Sequence, residues 1–120
     1  MKTCAFLLGL GFALAAAPSL AQAQMIAAAD AKAHVGQNVT VEGVVSEVHT
    51  AASGRATFID IGGRYPNNTF AAVIFSADAS KFPNVTALKG KTVDITGPVK
   101  LYKDKPEIIL KSADQLKPKQ

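Results

Sequence analysis

His34 and His49 are the only imidazoles in the chain. A metal site or an acid–base pair needs them at ligand spacing from each other or from a carboxylate, and neither has it. Asp60, Asp78, Asp94 and Asp104 fall in four separate stretches rather than one constellation. No Gly-x-Ser-x-Gly, His-x-x-x-His or phosphate-loop pattern occurs. Gly62-Gly63-Arg64 has the composition of an anion-binding nest, but a turn needing positive φ explains the two glycines more simply. The residue types therefore predict no enzyme, no metal site and no cofactor. What remains is binding chemistry. Arg55, Arg64, Lys103 and Lys105 supply cations, and Phe58, Tyr65 and Tyr102 supply rings. Rings that stack and cations that track phosphates are together what single-stranded nucleic acid requires.

The first residues read as a segment apart. Lys2 is a short basic start, Cys4 to Ala17 is an apolar run, and Ala21-Gln22-Ala23 places small residues where a signal peptidase reads. Residues 1–23 are thus expected to be a secretory signal peptide, cleaved near Ala23, with the mature chain periplasmic or secreted. The run is short of the roughly 20 residues of a comfortable membrane span, and no span is expected after it. The one cysteine, Cys4, leaves with the leader. No disulfide and no thiolate chemistry is then expected, even in an oxidising compartment. The net charge of +4 falls to +3 without Lys2. That mild bias permits a polyanion partner without requiring one.

The elements that must position the rings and cations follow from periodicity. Residues 24–38 form a lead-in whose alanine-rich part, Ile26 to Val35, reads as a short helix stopped by Gly36. From Val39 the chain alternates and is β-branched, which predicts a strand to His49 with a bend at Gly43. A second strand spans Arg55 to Ile61 and a third Phe70 to Phe75. Ser76 to Phe82 reads as a helical turn stopped by Pro83. Lys91 to Lys103 reads as one long fourth strand, bent at Gly97-Pro98. A turn at Asp104-Lys105-Pro106 leads to a fifth strand, Glu107 to Lys111. Ser112 to Leu116 reads as a closing turn, and residues 117–120 as a frayed tail.

Five strands, a helical excursion between the third and fourth, and a glycine bend in the first predict an all-β domain over residues 39–116. Its expected form is a five-stranded Greek-key OB-fold barrel with an N-terminal helix and a short helical turn between strands three and four. A plain, unclosed sheet is the competing arrangement, and it would leave an apolar edge exposed.

Particular runs carry a family resemblance: VTVEGVVSEV at the first strand, Phe58-Ile59-Asp60-Ile61, Tyr65-Pro66-Asn67, Gly90-Lys91 and Lys105-Pro106-Glu107-Ile108. Over Val39 to Leu116 the chain resembles small exported bacterial OB-fold proteins labelled as nucleic-acid-binding or DNA-binding. It is similar, more distantly, to the anticodon-binding OB domain of class II aminoacyl-tRNA synthetases, where a second-strand Phe stacks on a base. The resemblance implies that stacking role for Phe58. It implies weak binding of single-stranded nucleic acid or a similar polyanion, although a fold by itself does not fix a function.

In an OB-fold the ligand lies across strands two and three, between the loop joining strands one and two and the loop joining four and five. Alternation puts Ile59 and Ile61 on the core face and Phe58 with Asp60 on the other. Phe58 then either faces a ligand or lies beneath the N-terminal helix or a loop. Both faces of the third strand are apolar, so periodicity leaves its core face open. The expected nucleic-acid site is Phe58 and Tyr102 as stacking rings, with Arg55, Lys103 and Lys105 on phosphates. Asp60 beside Phe58 weighs against it, because it repels phosphate. Gly62 to Thr69 is expected to be a structural hairpin connection, with Tyr65-Pro66 folded back on the wall. The alternatives to nucleic acid are docking of an envelope protein, or of an oligosaccharide or small ligand.

Overall fold

The computed structural model describes residues 23–119. The expected leader, save Ala23, lies outside the described residues. The strands are β1 (Gln24–Ala27), β2 (Asn38–Thr50), β3 (Ala56–Ile61), β4 (Phe70–Phe75), β5 (Thr92–Pro98), β6 (Lys100–Tyr102), β7 (Lys105–Ile109) and β8 (Leu116–Pro118). Four short 3₁₀ turns, at Ala28–His34, Ser76–Lys81, Val85–Leu88 and Ala113–Gln115, connect them.

The sheet runs β6-β7-β4-β3-β2-β5-β8, with β1 also laid along β2. The β1–β2 and β4–β7 ladders are parallel and the rest antiparallel. The expected five-stranded closed barrel is therefore corrected to an eight-stranded mixed sheet whose ladder is open, ending on β6 and β8.

Three local differences produce the extra strands. The lead-in is not a regular helix. Gln24–Ala27 pairs with β2 and buries Ile26, and only a 3₁₀ turn follows. Alanine propensity alone holds so short a helix poorly, and a ladder with a buried side chain outweighs it. The long fourth strand breaks at Val99, which is buried and accepts a hydrogen bond from the Gly36 N–H at 2.8 Å. Beyond it, β6 leaves β5 and pairs with β7. The segment expected to be a closing turn and tail ends in β8, with Leu116, Lys117 and Pro118 paired to β5.

Both halves of the sheet share one core. β2 supplies Val39, Val41 and Val45, β3 supplies Ile59 and Ile61, and β5 supplies Val93 and Ile95. β4 turns Phe70, Ala72 and Ile74 inward, which settles the face that periodicity left open. Strand β2 joins the halves by changing partners along its length: Asn38–Val44 pairs with β5, and Val45–Thr50 with β3. The change occurs beside Gly43, where an added Cβ would lie 2.6 Å from Ile61 Cγ2. Only a residue without a Cβ lets β2 pass so close to β3.

Where a closed barrel would have a ladder between β5 and β7, one side chain bridges the two strands. The Gln115 amide donates to Thr96 O of β5 at 2.9 Å and to Ile109 O of β7 at 3.2 Å. Its Oε1 accepts from the Lys111 and Ser112 N–H groups at 2.7 and 3.0 Å. The two ends of the ladder are short, three residues each, and carry Lys100, Lys117 and Pro118, and β1, four residues long, has β2 as its one partner. Brevity, charge and proline are what discourage pairing between molecules at an open edge. Gln115→Ala removes all four hydrogen bonds together. Urea denaturation should show a loss of about 1–3 kcal/mol.

Candidate functional site

The sheet face opposite the core forms a groove of about 520 Å³. Register places Glu47 (β2), Asp60 (β3), Ala71 (β4), Glu107 (β7) and Lys100 (β6) side by side in one row across it. The next row runs His49, Phe58, Val73 and Ile109. Three carboxylates thus share one row, and two of them, Asp60 and Glu107, line the groove. Ala71, between Asp60 and Glu107, has no bulk to fill the gap. Strands lie about 4.8 Å apart, so the backbones at Asp60 and Glu107 are separated by roughly 10 Å.

Asp60 is the most buried of the three, at 1% exposure. His49 Nε2 stands 3.1 Å from its Oδ2, an ion-pair distance, but misaligned for a hydrogen bond. Asn68 Nδ2 donates to Asp60 Oδ1 at 3.4 Å and to Phe70 O at 3.2 Å. Burial pushes the Asp60 carboxyl above its usual value of 3.8, and the His49 ring and the Tyr65 backbone N–H offset part of that rise. Burial also raises Glu107, opposed by Lys100. Among the described residues, Glu107 forms no ion pair. Glu47 pairs with Arg64.

The walls are aromatic. The His49 and Phe58 rings stack with centroids 5.2 Å apart, and Tyr65 leans on His49 at 6.0 Å. Phe58 is half-buried and lines the groove, so neither the N-terminal segment nor a loop seals it. Tyr102 and Pro106 line the other side. Tyr65 and Tyr102 are 66% and 56% exposed, large for rings that flank a groove.

Of the five expected site residues, Phe58, Tyr102, Lys103 and Lys105 line this groove. Arg55 does not. It precedes β3 at the far end, its N–H donating to Ser53 Oγ and its carbonyl accepting from Ser76 N. Lys105 is present but engaged. Its ammonium donates to Pro66 O, and to Asn68 O and Asn68 Oδ1 at 3.1 Å each. Three acceptors use all three of its donors, so it anchors a loop instead of standing ready for phosphate. Lys103 lies at positive φ in the β6–β7 turn, with its Nζ 5.3 Å from the centre of the Tyr102 ring. A groove lined by two carboxylates, with Lys103 its one uncommitted lining lysine, does not support the expected DNA-binding character.

The Gly62–Thr69 connection is more than structural. Its glycines do serve the turn: Gly62 has φ +80° with Thr69 against its α-carbon, and the Gly63 N–H donates to Ser46 Oγ rather than to an anion. The rest of the loop builds the site. Tyr65, Pro66 and Asn68 line the groove instead of folding away from it. Sequence reasoning also passed over His49 and Glu107. The available signal was alternation, which puts His49 on the same face as Glu47, two residues before it.

No family model matches the chain, and no curated protein matches it in sequence. Solved structures do resemble it. One is an aspartyl-tRNA synthetase from Leishmania major Friedlin, with TM-score 0.55 and 12% identity over 85% of this chain and 22% of that one. Another is the OBody AM1L10 bound to hen egg-white lysozyme, with TM-score 0.59 and 17% identity over 85% of this chain and 99% of that one. A third is the OBody AM2EP06 bound to hen egg-white lysozyme, with TM-score 0.56 and 17% identity over 78% of this chain and 90% of that one. The chain spans about a fifth of the synthetase's length. At these identities the likeness is one of fold. The chain resembles OB-fold-like domains distantly. The resemblance does not extend to a particular exported bacterial protein.

The buried carboxylate gives a signed pH dependence. The raised Asp60 value means that the folded chain holds this proton more tightly than the unfolded chain. Asp60's contribution to stability is complete below 3.8 and is lost as pH rises through the folded value. Asp60→Asn cannot ionise. Denaturation at several pH values should show this variant gaining on the native protein between about pH 3 and neutrality.

Proposed function

We propose that the chain is a binding module that docks another protein through the aromatic groove, with no chemistry of its own. The observation that carries this is the pair of exposed tyrosines, Tyr65 and Tyr102, on opposite sides of a groove already shaped by Phe58 and His49. Large aromatic side chains beside a pocket are the residues that dominate protein interfaces. Exposed rings grouped at one depression mark an interaction site far more than scattered ones do. The resemblance to OBodies seen bound to lysozyme supports the reading, since it shows a chain of this shape presenting a protein-binding surface.

A single-stranded polyanion, the finer reading that the sequence favours, would find little here. Phosphates approaching Phe58 meet Asp60 and Glu107, and Lys105 is occupied by carbonyl oxygens. No labelled oligonucleotide should bind even at low salt, the condition that most favours phosphate contacts. Immobilised protein should retain a partner from extracts of its own cells. Tyr65→Ala and Tyr102→Ala should each weaken that retention by about 2 kcal/mol, or roughly thirtyfold. Retention that both variants leave unchanged would sink the groove as the docking site.

A further inference from the structure

The aromatic walls and the acidic floor together specify what enters the groove. Resting on the protein-docking reading above, we propose that the partner inserts a basic side chain, lysine or arginine, with its stem along Phe58 and Tyr102 and its charged head toward Glu107. The occupant would take the place now held by the ammonium of Lys103.

Four observations converge. First, the row Glu47–Asp60–Ala71–Glu107 sets three carboxylates on one sheet face, Asp60 and Glu107 of them lining the groove, and Glu107 has only the through-space attraction of Lys100 to answer it. Arg64 pairs with Glu47 and His49 stands by Asp60, while Glu107 is half-buried without an ion pair among the described residues. Second, Asp60 is almost wholly buried, and its Oδ2 accepts no hydrogen bond. That oxygen is an unfilled acceptor beneath the groove. Third, the tyrosine faces already receive ammonium groups from the chain itself, Lys105 Nζ 5.9 Å from the Tyr65 ring centre and Lys103 Nζ 5.3 Å from that of Tyr102. These are cation–π distances. Fourth, the two lysines differ in how they are held. Lys105 is fixed by Pro66 and Asn68. Lys103 sits in an exposed turn and makes no side-chain hydrogen bond or ion pair among the described residues, so it can be displaced.

This assignment reverses the sign expected of Lys103. On a phosphate-binding face Lys103 is a ligand, and its loss weakens binding. On a face that receives cations it is a competitor, and its loss strengthens binding. Lys103→Asn is the suitable change, because asparagine tolerates the positive φ of this turn.

The test is an NMR titration of the full chain with Nα-acetyl-arginine methylamide and Nα-acetyl-lysine methylamide, alongside neutral Nα-acetyl-norleucine methylamide. The two basic amides should shift Tyr65, Tyr102 and Glu107 saturably, and norleucine should bind at least threefold more weakly. Lys103→Asn should tighten the basic amides by about threefold, and Glu107→Gln should weaken them by a similar factor. Spectra of each variant show whether its fold is retained, and 0.5 M salt reproduces the Glu107 effect in the native protein by screening, on the order of a few-fold. Norleucine binding as well as lysine would overturn the basic-side-chain assignment and leave the groove as an apolar docking site. Weaker binding by Lys103→Asn, or no shift with any amide, would overturn it too. Failure of the docking reading itself appears separately, as retention of a protein partner indifferent to Tyr65 and Tyr102.

Discussion

The site depends on one buried carboxylate. Asp60 lies at 1% exposure on the outer side of β3, beneath the groove rather than in the core. Such a group is tolerated only with partners arranged around it, and those partners are the site. On one side His49 stands against Asp60, and its ring stacks on Phe58 and meets Tyr65 at a tilt. On the other, Asn68 reaches Asp60 with its amide and offers its oxygen to Lys105, which also holds Pro66. Both chains of contact end on the loop that carries Tyr65. The ring most exposed at the groove is held by the group most hidden beneath it.

The sheet positions that arrangement through one shared strand. β2 passes from β5 to β3 at Gly43, so one strand serves both halves and a single core fills the space between them. Gln115 ties β5 to β7 with side-chain hydrogen bonds where a barrel would use backbone. The outer face of β3, β4 and β7 is then free of core duty. It can hold carboxylates, an alanine gap and rings, none of which would suit an interior.

Much of this was legible in the sequence where one period dominates. Alternation placed Ile59 and Ile61 inward and Phe58 with Asp60 outward, and the glycine in β2 marked a bend where the strand changes partners. Legibility failed where tertiary pairing overrides local preference. Ile26 and Ala27 read as the start of an alanine helix, but Gln24–Ala27 is captured by β2. Lys91–Lys103 reads as one strand because nothing local announces that Val99 is pinned by Gly36. The closing segment reads as a turn and tail because three residues cannot reveal a partner more than 20 positions away. Four of the five expected site residues line the groove, and the differences have a related reason. Lys105 looks like a free cation in sequence, and only the folded loop shows three oxygens around it. Arg55 looks like part of the groove until β3 is laid out and carries it to the wrong end. Tyr65 looks like packing until the loop turns it outward.

The claim at the centre of this account is that the aromatic groove is the surface that meets another protein. Site-specific photocrosslinking tests it most directly. A photoreactive residue would be placed at Tyr65 or Tyr102, and at Val44, an exposed position in the half of β2 that pairs with β5. In the protein's own cells, both groove positions should give the same discrete protein adduct and Val44 should not. Equal adducts from all three positions, or adducts to nucleic acid from the groove, would contradict the account.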